Sequence, residues 1–361
     1  MVGLIAAILS VFIVPSPEPR AAPPPPPPAA APRPALTLRQ AVGQRMVFAY
    51  DGLSPPPALR RRIRRGEAAG VIVFSRNVRS ATRLRATVRS LQAIKRPTEL
   101  RAPLIVMTDQ ESGPVRRIPG PPPSTKAQTR SVATARADGR ATARTLRRAG
   151  VNMDLAPVAD VGRPGAALVR ERRTHGSSAR RVARLVTAFA TGLRTGGVLA
   201  TGKHFPGLGA SRVNTDAAPA RIGLSLSALR SVDAVAFASL IAADIDAIML
   251  ATAVYPALDE RPAAFSGKWV RGELRERLGF RGVTISDDLQ TPAVQSFGSI
   301  SERAVRAAKA GIDVPLFVGN YRAGTEAAEG LVAAGRTGEL SRAGLERTAK
   351  RVLRLRERLK R

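Results

Sequence analysis

The sequence predicts an α/β fold, a (β/α)8 barrel in a single domain, and three observations lead to this prediction. Eight short apolar segments alternate with amphipathic helical stretches over about 325 residues. Three of these segments run directly into charged residues, as barrel strands do at their carboxyl ends. The chain of 361 residues is 44% hydrophobic, which is enough for one large core. The predicted strands are Met46–Tyr50, Gly70–Phe74, Pro103–Thr108, Val151–Leu155, Val198–Lys203, Ala247–Ala251, Gly282–Ser286 and Val314–Val318.

An open, doubly wound sheet is the alternative arrangement of the same elements. It is not favoured, because no glycine-rich phosphate loop follows the first predicted strand. Apolar residues at helical intervals predict a helix at Ala179–Thr195 and a closing helix at Ser341–Arg361 that packs on the barrel. We expect no internal repeat and no second domain. The apolar face of the closing helix comprises Leu345, Ala349, Val352 and Leu355.

The first 36 residues are expected to precede the barrel domain, which is predicted at residues 37–361. Residues 1–14 are apolar like the core of a secretory signal, although no basic residue precedes them, and a bilayer span needs about 20 residues. Residues 15–36 form a Pro/Ala-rich linker, typical of a semi-rigid polyproline spacer. This order predicts an extracytoplasmic protein, secreted or tethered to a membrane only by its N-terminus. An unstructured N-terminus is the alternative.

The composition excludes several kinds of site. The chain has no cysteine, so disulfides, thiolate metal sites, cysteine nucleophiles and a lipid-modified N-terminal cysteine are excluded. His175 and His204 are the only histidines, which argues against a zinc site built from several histidines. We therefore expect no thiolate metal site and no metal site built from several histidines.

The formal net charge of +31, carried mostly by arginine, has two interpretations. One is attraction to a polyanion, such as an acidic polymer of the cell surface. The other is biased composition, because Ala, Arg, Gly and Pro are all abundant. The second is favoured from sequence, since the arginines are scattered along many predicted helices. Specific nucleic-acid binding is not expected, because only 4% of the residues are aromatic.

Five short motifs occur in order along the chain, most of them at the ends of predicted strands. They are Asp109-Gln110-Glu111-Ser112-Gly113, Ala156-Pro157-Val158-Ala159-Asp160-Val161, Arg173-Thr174-His175-Gly176, Lys203-His204-Phe205-Pro206-Gly207-Leu208-Gly209 and Ser286-Asp287-Asp288-Leu289. In this order they are similar to the motifs D-Q-E-G-G, A-P-V-x-D-V, R-S-F-G, K-H-F-P-G-H-G and S-D-D-L of glycoside hydrolase family 3. From about residue 38 to residue 360 the chain resembles the compact, single-domain bacterial β-N-acetylglucosaminidases of that family.

The resemblance implies a retaining glycosidase that acts on terminal N-acetylglucosamine-type residues, for example in cell-wall glycans. No metal and no organic cofactor are implied, since this chemistry requires only carboxylates and water. Asp287 matches the nucleophile, which attacks the anomeric carbon and forms a covalent glycosyl-enzyme that water then hydrolyses. The alternative role for Asp287 is a helix N-cap, and this structural role is the favoured one for Asp288.

Four further residues match the sugar-binding positions of the family. A carboxylate can accept hydrogen bonds from two sugar hydroxyls, while Lys and Arg donate to others. A buried ion pair between Lys203 and Asp109 and a core role for His204 are the alternatives. The neighbouring Arg172 is the alternative to Arg173. The four matching residues are Asp109, Arg173, Lys203 and His204.

The acid/base loop departs from the family pattern. The family has an Asp-x-His pair there, and Asp216 matches the Asp while Ala218 stands at the His position. A methyl group cannot protonate a glycosidic oxygen, although general acid catalysis is typically worth 10²–10⁴-fold. Either Asp216 takes the role directly, or only substrates with good leaving groups react, or the chain binds glycans without cleaving them. Further departures are Ser112, Pro114, Leu208 and Thr252, and His175 replaces an aromatic residue of the R-S-F-G motif.

Three functional hypotheses follow from the sequence. The first is a retaining β-N-acetylhexosaminidase with Asp287 and Asp216 as catalytic residues and an amino-sugar glycan as substrate. The second is a catalytically impaired glycan-binding protein, suggested by Ala218. The third is a polyanion-binding surface protein, suggested by the net charge alone. A monomer is expected, by similarity to the single-domain members of the family.

Overall fold

The computed structural model describes residues 35–122, 129 and 131–360. The chain from residue 35 onward forms one compact unit. The predicted apolar segment at residues 1–14, and residues 15–34 of the predicted linker, lie outside the described residues.

Eight parallel strands follow one another in the sheet in the order in which they occur in the chain. The first and the last strand also lie next to each other, so the sheet curls into a nearly closed barrel. The predicted (β/α)8 barrel is therefore confirmed, and each predicted segment overlaps one of these strands. They are β1 (Val47–Phe48), β2 (Gly70–Ile72), β3 (Ile105–Thr108), β4 (Met153–Asp154), β5 (Leu199–Phe205), β6 (Ala247–Leu250), β7 (Val283–Asp288) and β8 (Val314–Leu316).

Helices connect the strands and cover the outside of the barrel. The predicted helix coincides with the observed helix Ala179–Thr195, and the predicted closing helix contains the observed helix Arg342–Glu357. Short 3₁₀ turns occur at Ser75–Asn77, Thr98–Leu100, Ala263–Phe265, Pro292–Phe297 and Arg358–Lys360, and π-helical segments at Leu229–Asp233 and Lys268–Arg277. The α-helices are α1 (Leu38–Gly43), α2 (Pro57–Arg64), α3 (Ala81–Gln92), α4 (Val132–Arg148), α5 (Ala167–Arg170), α6 (Ala179–Thr195), α7 (Leu226–Ala228), α8 (Ala234–Ala242), α9 (Ile300–Ala310), α10 (Tyr321–Arg336) and α11 (Arg342–Glu357).

Helix ends follow local capping rules. The helix α6 begins after Ser178, whose hydroxyl accepts the N–H of Arg181. The helix α9 has a capping box, in which Ser299 and Glu302 each accept a backbone N–H of the other. It ends at Gly311, which has a φ of 109°, a conformation that favours glycine. In the described part of the chain, no helix is both long and apolar enough to cross a membrane.

The apolar residues form two layers. A large outer layer fills the space between strands and helices, and a smaller layer fills the barrel itself. Val352 and Leu355 of α11 belong to the smaller layer, so the closing helix seals one end of the barrel interior. The site residues described below lie at the other end of the strands.

Arg356 fastens this closing helix to the amino-terminal ends of the strands. It is fully buried and donates hydrogen bonds to the carbonyls of Pro103 at 2.9 Å and Leu100 at 3.1 Å, and also to that of Ala102. Burial lowers its pKa to about 9, which still leaves it charged at neutral pH. Polar contacts at this end serve stability, because barrel chemistry takes place at the opposite end.

Ser112 is a strained residue in the hairpin that follows β3, where Gln110–Ser112 pairs with Val115–Arg116. Its φ of 127° is in a region that favours glycine, and the related motif has glycine at this position. Its buried hydroxyl has no hydrogen-bond partner among the described residues. Backbone strain and a buried, unpaired hydroxyl both cost stability.

We expect Ser112→Gly to raise the free energy of unfolding by about 1 kcal/mol, because it relieves the positive φ and removes the unpaired hydroxyl. Thermal or urea unfolding measures the change. Ser177→Gly is the matched control: Ser177 is exposed and lacks a positive φ, so there the added backbone freedom lowers stability slightly. Equal effects of the two substitutions would contradict the assignment of strain to Ser112.

Candidate active site

A cavity of about 510 Å³ opens at the carboxyl ends of the strands. All six residues singled out from the sequence line it, although they come from distant parts of the chain. Strand polarity accounts for this convergence, because parallel strands of a barrel all end at the same rim. The six residues are Asp109, Arg173, Lys203, His204, Asp216 and Asp287.

A charged network forms the floor of the cavity. Lys203 Nζ lies 2.6 Å from Asp109 Oδ1 and 2.7 Å from Glu111 Oε1. Arg173 binds the same Glu111 with two hydrogen bonds, of 2.8 and 3.1 Å, and reaches Glu171 Oε2 at 3.1 Å. The ion pair between Lys203 and Asp109, one of the alternatives from sequence, is thus present. It still lines the open cavity, with 14% of the Asp109 side chain exposed.

The network keeps its cations charged. Burial by itself lowers the pKa of Lys203, but attraction to Asp109 and Glu111 outweighs burial and the pKa is raised. The pKa of Arg173 is raised for the same reason, with Glu111 and Glu171 opposing the effect of burial. Both side chains therefore offer fixed positive charge and N–H donors to a hydroxylated ligand at any physiological pH.

His204 is held in one orientation. Its Nδ1 lies 2.7 Å from Asp160 Oδ2, and the other Asp160 oxygen accepts the backbone N–H of Leu208 at 2.6 Å. His204 is buried, as the core alternative requires, yet it also lines the cavity. With Nδ1 bonded to a carboxylate, the opposite ring nitrogen is oriented for a ligand.

Two adjacent carboxylates end β7. Asp287 is half-buried and lines the cavity, with Oδ1 accepting the N–H of Asp288 at 2.9 Å. Asp288 does not cap a helix, contrary to the sequence interpretation, because Thr291 is the N-cap residue of the following turn. Its Oδ1 instead accepts the backbone N–H groups of Gln290 at 3.0 Å and Val318 at 3.3 Å. Burial, and more weakly the charge of Asp287, raise the pKa of Asp288 to about 7.

The loop after β5 brings Asp216 over the cavity. The residue is exposed as a whole, but its carboxylate faces the cavity, where loss of solvent and repulsion by Asp287 raise its pKa. Solvent on the outer side screens these effects and limits the shift. Asn214 Oδ1 accepts the N–H of Asp216 at 2.9 Å, and Asn214 Nδ2 donates to Glu171 Oε1 at 2.9 Å. The loop is thus linked to the charged network through Glu171.

Sequence reasoning missed several residues of the cavity, and also Asp160, which contacts His204 but does not line the cavity. Glu111 lies within the motif that begins at Asp109, and Asp160 within its own motif, but their partners do not follow from the sequence. Arg172 is exposed and does not line the cavity, so Arg173 is the arginine of the site. The further lining residues with polar side chains are Glu111, Arg117, Glu171, Asn214, Thr215, Asp288, Gln290 and Thr291.

A larger groove, of about 980 Å³, lies on the outer helices and includes Arg271, Phe297 and Arg306. It lies between Lys268–Arg277, α9 and α10, away from the strand ends, so the smaller cavity is the candidate active site. Across the described ranges, no group of three or more His, Asp or Glu side chains is arranged to hold a metal ion.

Residues 37–355 match the family model for the glycosyl hydrolase family 3 N-terminal domain. A protein of Arthroderma benhamiae described as an uncharacterized secreted glycosyl hydrolase is 39% identical over 91% of this chain and 96% of its own length. A beta-hexosaminidase of Nitrosomonas eutropha is 34% identical over 68% of this chain and 72% of its own length.

Solved structures give the same result. A glycoside hydrolase family 3 beta-N-acetylglucosaminidase from Paenibacillus superposes with a TM-score of 0.84 and 31% identity over 90% of this chain, which spans 63% of that longer protein. A beta-N-acetylhexosaminidase from Beutenbergia cavernae gives a TM-score of 0.81 and 33% identity, covering 89% of this chain and 99% of the other. The barrel, the cavity at its strand ends and these similarities together show that this chain belongs to glycosyl hydrolase family 3.

Proposed function

We propose that the protein is a retaining β-N-acetylhexosaminidase that removes terminal N-acetylglucosamine-type residues from glycans. The observation that carries this proposal is the Asp287 carboxylate, which faces an open cavity beside two fixed cations and a histidine. The relatives named beta-hexosaminidase and beta-N-acetylglucosaminidase support the substrate class. The secreted relative from Arthroderma supports an extracytoplasmic location.

The reaction takes two steps. In the first, an oxygen of Asp287 forms a bond to the anomeric carbon while the bond to the leaving oxygen breaks, and that oxygen takes a proton from an acid. In the second, water attacks the anomeric carbon, gives up a proton to the same group, and releases Asp287. The two displacements together retain the anomeric configuration.

Asp216 is our candidate for the acid and base. Its raised pKa favours the protonated form that the first step needs, and the cause includes repulsion by Asp287 in the same cavity. When Asp287 becomes bonded to the sugar, its charge is lost and the pKa of Asp216 falls. Asp216 is then better suited to act as a base in the second step. Ala218 supplies no titratable group, so no second residue shares the role at that position.

The sugar is held by the charged floor of the cavity. Asp109 accepts hydrogen bonds from hydroxyls, while Lys203, Arg173 and the outward nitrogen of His204 complete the set of polar groups. Because Lys203 and Arg173 already balance Asp109 and Glu111, a neutral sugar enters without leaving a buried charge unpaired.

A glycan-binding protein without turnover is the second candidate function. The observation that favours it is Ala218, since the related loop has a histidine there. Such a protein would bind the sugar on the charged floor of the cavity but would not transfer protons to or from it. The two candidates differ in whether a covalent sugar adduct forms on Asp287.

We expect the protein to hydrolyse an aryl N-acetylglucosaminide with an acidic phenol, and Asp287→Asn to lower kcat by at least about a thousand-fold, because the nucleophile is lost. Asp288→Asn is the matched control. Asp288 has a pKa of about 7 and is largely protonated below that pH, so the amide resembles it and activity stays within about tenfold.

A slowly released fluorinated sugar should label the peptide that contains Asp287, as read by mass spectrometry. Absence of both turnover and label would leave only the glycan-binding candidate.

We expect Asp216→Asn to lower kcat/KM on a natural disaccharide by 10²–10⁴-fold, and on the activated aryl sugar much less, because an acidic phenol needs no proton. The kcat/KM of the natural substrate should fall as pH rises through the pKa of Asp216, and this fall should disappear in the variant. Azide, a nucleophile that needs no base, should restore kcat of the variant on the aryl sugar. Equal losses on both substrates, without rescue by azide, would contradict the acid/base role.

We expect Asn214→Ala to lower kcat/KM on the disaccharide by about tenfold, because the loss of its two hydrogen bonds frees the Asp216 loop from Glu171. Activity on the aryl sugar should change little, since the defect concerns delivery of a proton. Val213→Ala, in the same loop and exposed, is the control and should alter neither rate. A loss that is equal for the two substrates would assign Asn214 to sugar binding instead.

A further inference from the structure

The positive charge of this protein is unevenly distributed around the barrel. The helices α2, α3, α4 and α6, which follow the first four strands, carry sixteen arginines and a single acid, Asp138. The segment Lys268–Arg277 and the helices α9, α10 and α11 carry fifteen basic residues and seven acids. The two sets of helices therefore carry nearly equal numbers of basic residues, but only the first set is poor in acids.

Biased composition does not account for this difference. A compositional preference for arginine acts on the whole chain and would deplete acids from both sets of helices alike. The structure separates the two interpretations that the sequence left open, because it shows which helices are neighbours. In α2 and α3, Arg60 Nη2 donates to Ser90 Oγ at 3.0 Å, and α4 packs against both α3 and α6. The four helices form one continuous surface, which we call the arginine band.

Most arginines of the band are exposed and have no acidic partner. Thirteen of the sixteen side chains are exposed, and Arg60, Arg62 and Arg194 are the exceptions. The ion pairs made by the band involve Arg62 and Arg194. Leaving Arg181 aside, none of the exposed arginines pairs with a carboxylate among the described residues. The exposed arginines are Arg61, Arg64, Arg83, Arg85, Arg89, Arg136, Arg140, Arg144, Arg147, Arg148, Arg180, Arg181 and Arg184.

Unpaired arginines in this number repel one another, and an anionic partner relieves that repulsion. Guanidinium groups bind carboxylate and phosphate groups in a bidentate manner. The partner has to carry many such groups in a row, because the arginines are spread over four helices. The chemistry of the band therefore fits a polyanion and does not fit a small anion.

The shape and composition of the band narrow the kind of polyanion. Four consecutive helices of an eight-stranded barrel cover about half of its circumference, so a planar membrane or a stiff DNA duplex contacts only part of them. Phe189 is the aromatic residue in these helices, and it is buried, so the band offers no ring for stacking on bases. A flexible chain can bend around all four helices.

We propose that the arginine band binds a flexible anionic polysaccharide and holds the protein along it while the cavity acts on amino sugars. The choice of a polysaccharide rests on the proposed function, whereas the attraction to a flexible polyanion rests on the band alone. Binding should weaken steeply as the salt concentration rises. Binding releases counterions from the polyanion, and added salt opposes that release.

Two charge-matched variants of the full chain test this proposal. In the band variant, Arg85, Arg140, Arg144 and Arg184 are changed to Gln. In the control variant, Arg322, Arg336, Arg347 and Arg354 of the mixed half are changed to Gln. All eight residues are exposed, and each variant loses four charges. The probe is polygalacturonate, a flexible polysaccharide with one carboxylate on each sugar, in about 0.1 M salt.

We expect the band variant to lose at least about tenfold more affinity for polygalacturonate than the control variant. Equal losses would mean that net charge alone attracts the polymer, and would overturn the proposal. Tighter binding of the wild-type protein to duplex DNA or to anionic phosphatidylserine vesicles than to polygalacturonate would overturn the choice of partner. Turnover of the aryl sugar should be the same in both variants. Absence of turnover in all three proteins, with band-specific binding retained, would count against the proposed function and not against the band.

Discussion

The buried contact of Lys203 with Asp109 and Glu111 is the constraint on which the site depends. Two strand ends, those of β3 and β5, have to meet for it to form, and each buried charge would be costly without the others. Removing one partner of such a buried ion pair typically lowers the free energy of unfolding by about 3–5 kcal/mol, because an uncompensated charge stays behind. Arg173 completes the balance through its two hydrogen bonds to Glu111. A polar floor of matched charge can therefore persist at the mouth of a barrel whose interior is apolar.

The same network extends from the floor of the cavity to the loop that carries Asp216. Arg173 contacts Glu171, Glu171 accepts from Asn214, and Asn214 accepts the N–H of Asp216. Ala218 offers no titratable group, and Asp216 is linked to Arg173 through Asn214 and Glu171. In the proposed mechanism, the position of the acid and the binding of the sugar are therefore coupled through hydrogen bonds, and one carboxylate serves both steps.

Stability and chemistry occupy opposite ends of the barrel. Arg356 and the apolar face of α11 close the amino-terminal end, where Arg356 binds backbone carbonyls that precede β3. The other end keeps an open cavity lined by charged groups. Ser112 lies next to the floor residue Glu111, and its strain is consistent with the view that local stability is sacrificed near functional groups. The outer helices form a third region. Acids are scarce in the helices that follow the first four strands, whereas acids and bases are mixed in α9, α10 and α11.

The sequence by itself determined the barrel and its eight strands, because strand period and helix period are local patterns. Its resemblance to the motifs of glycoside hydrolase family 3 pointed to six residues that line the cavity. It also identified Asp287 and Asp216 as the carboxylates to be tested. Only the tertiary structure decided that Asp288 binds backbone N–H groups and caps no helix, that Asn214 joins Glu171, and that Arg356 seals the barrel. It alone showed that the acid-poor helices are neighbours. Each of these facts depends on contacts between residues far apart in the chain, and no local pattern encodes which distant residues will meet.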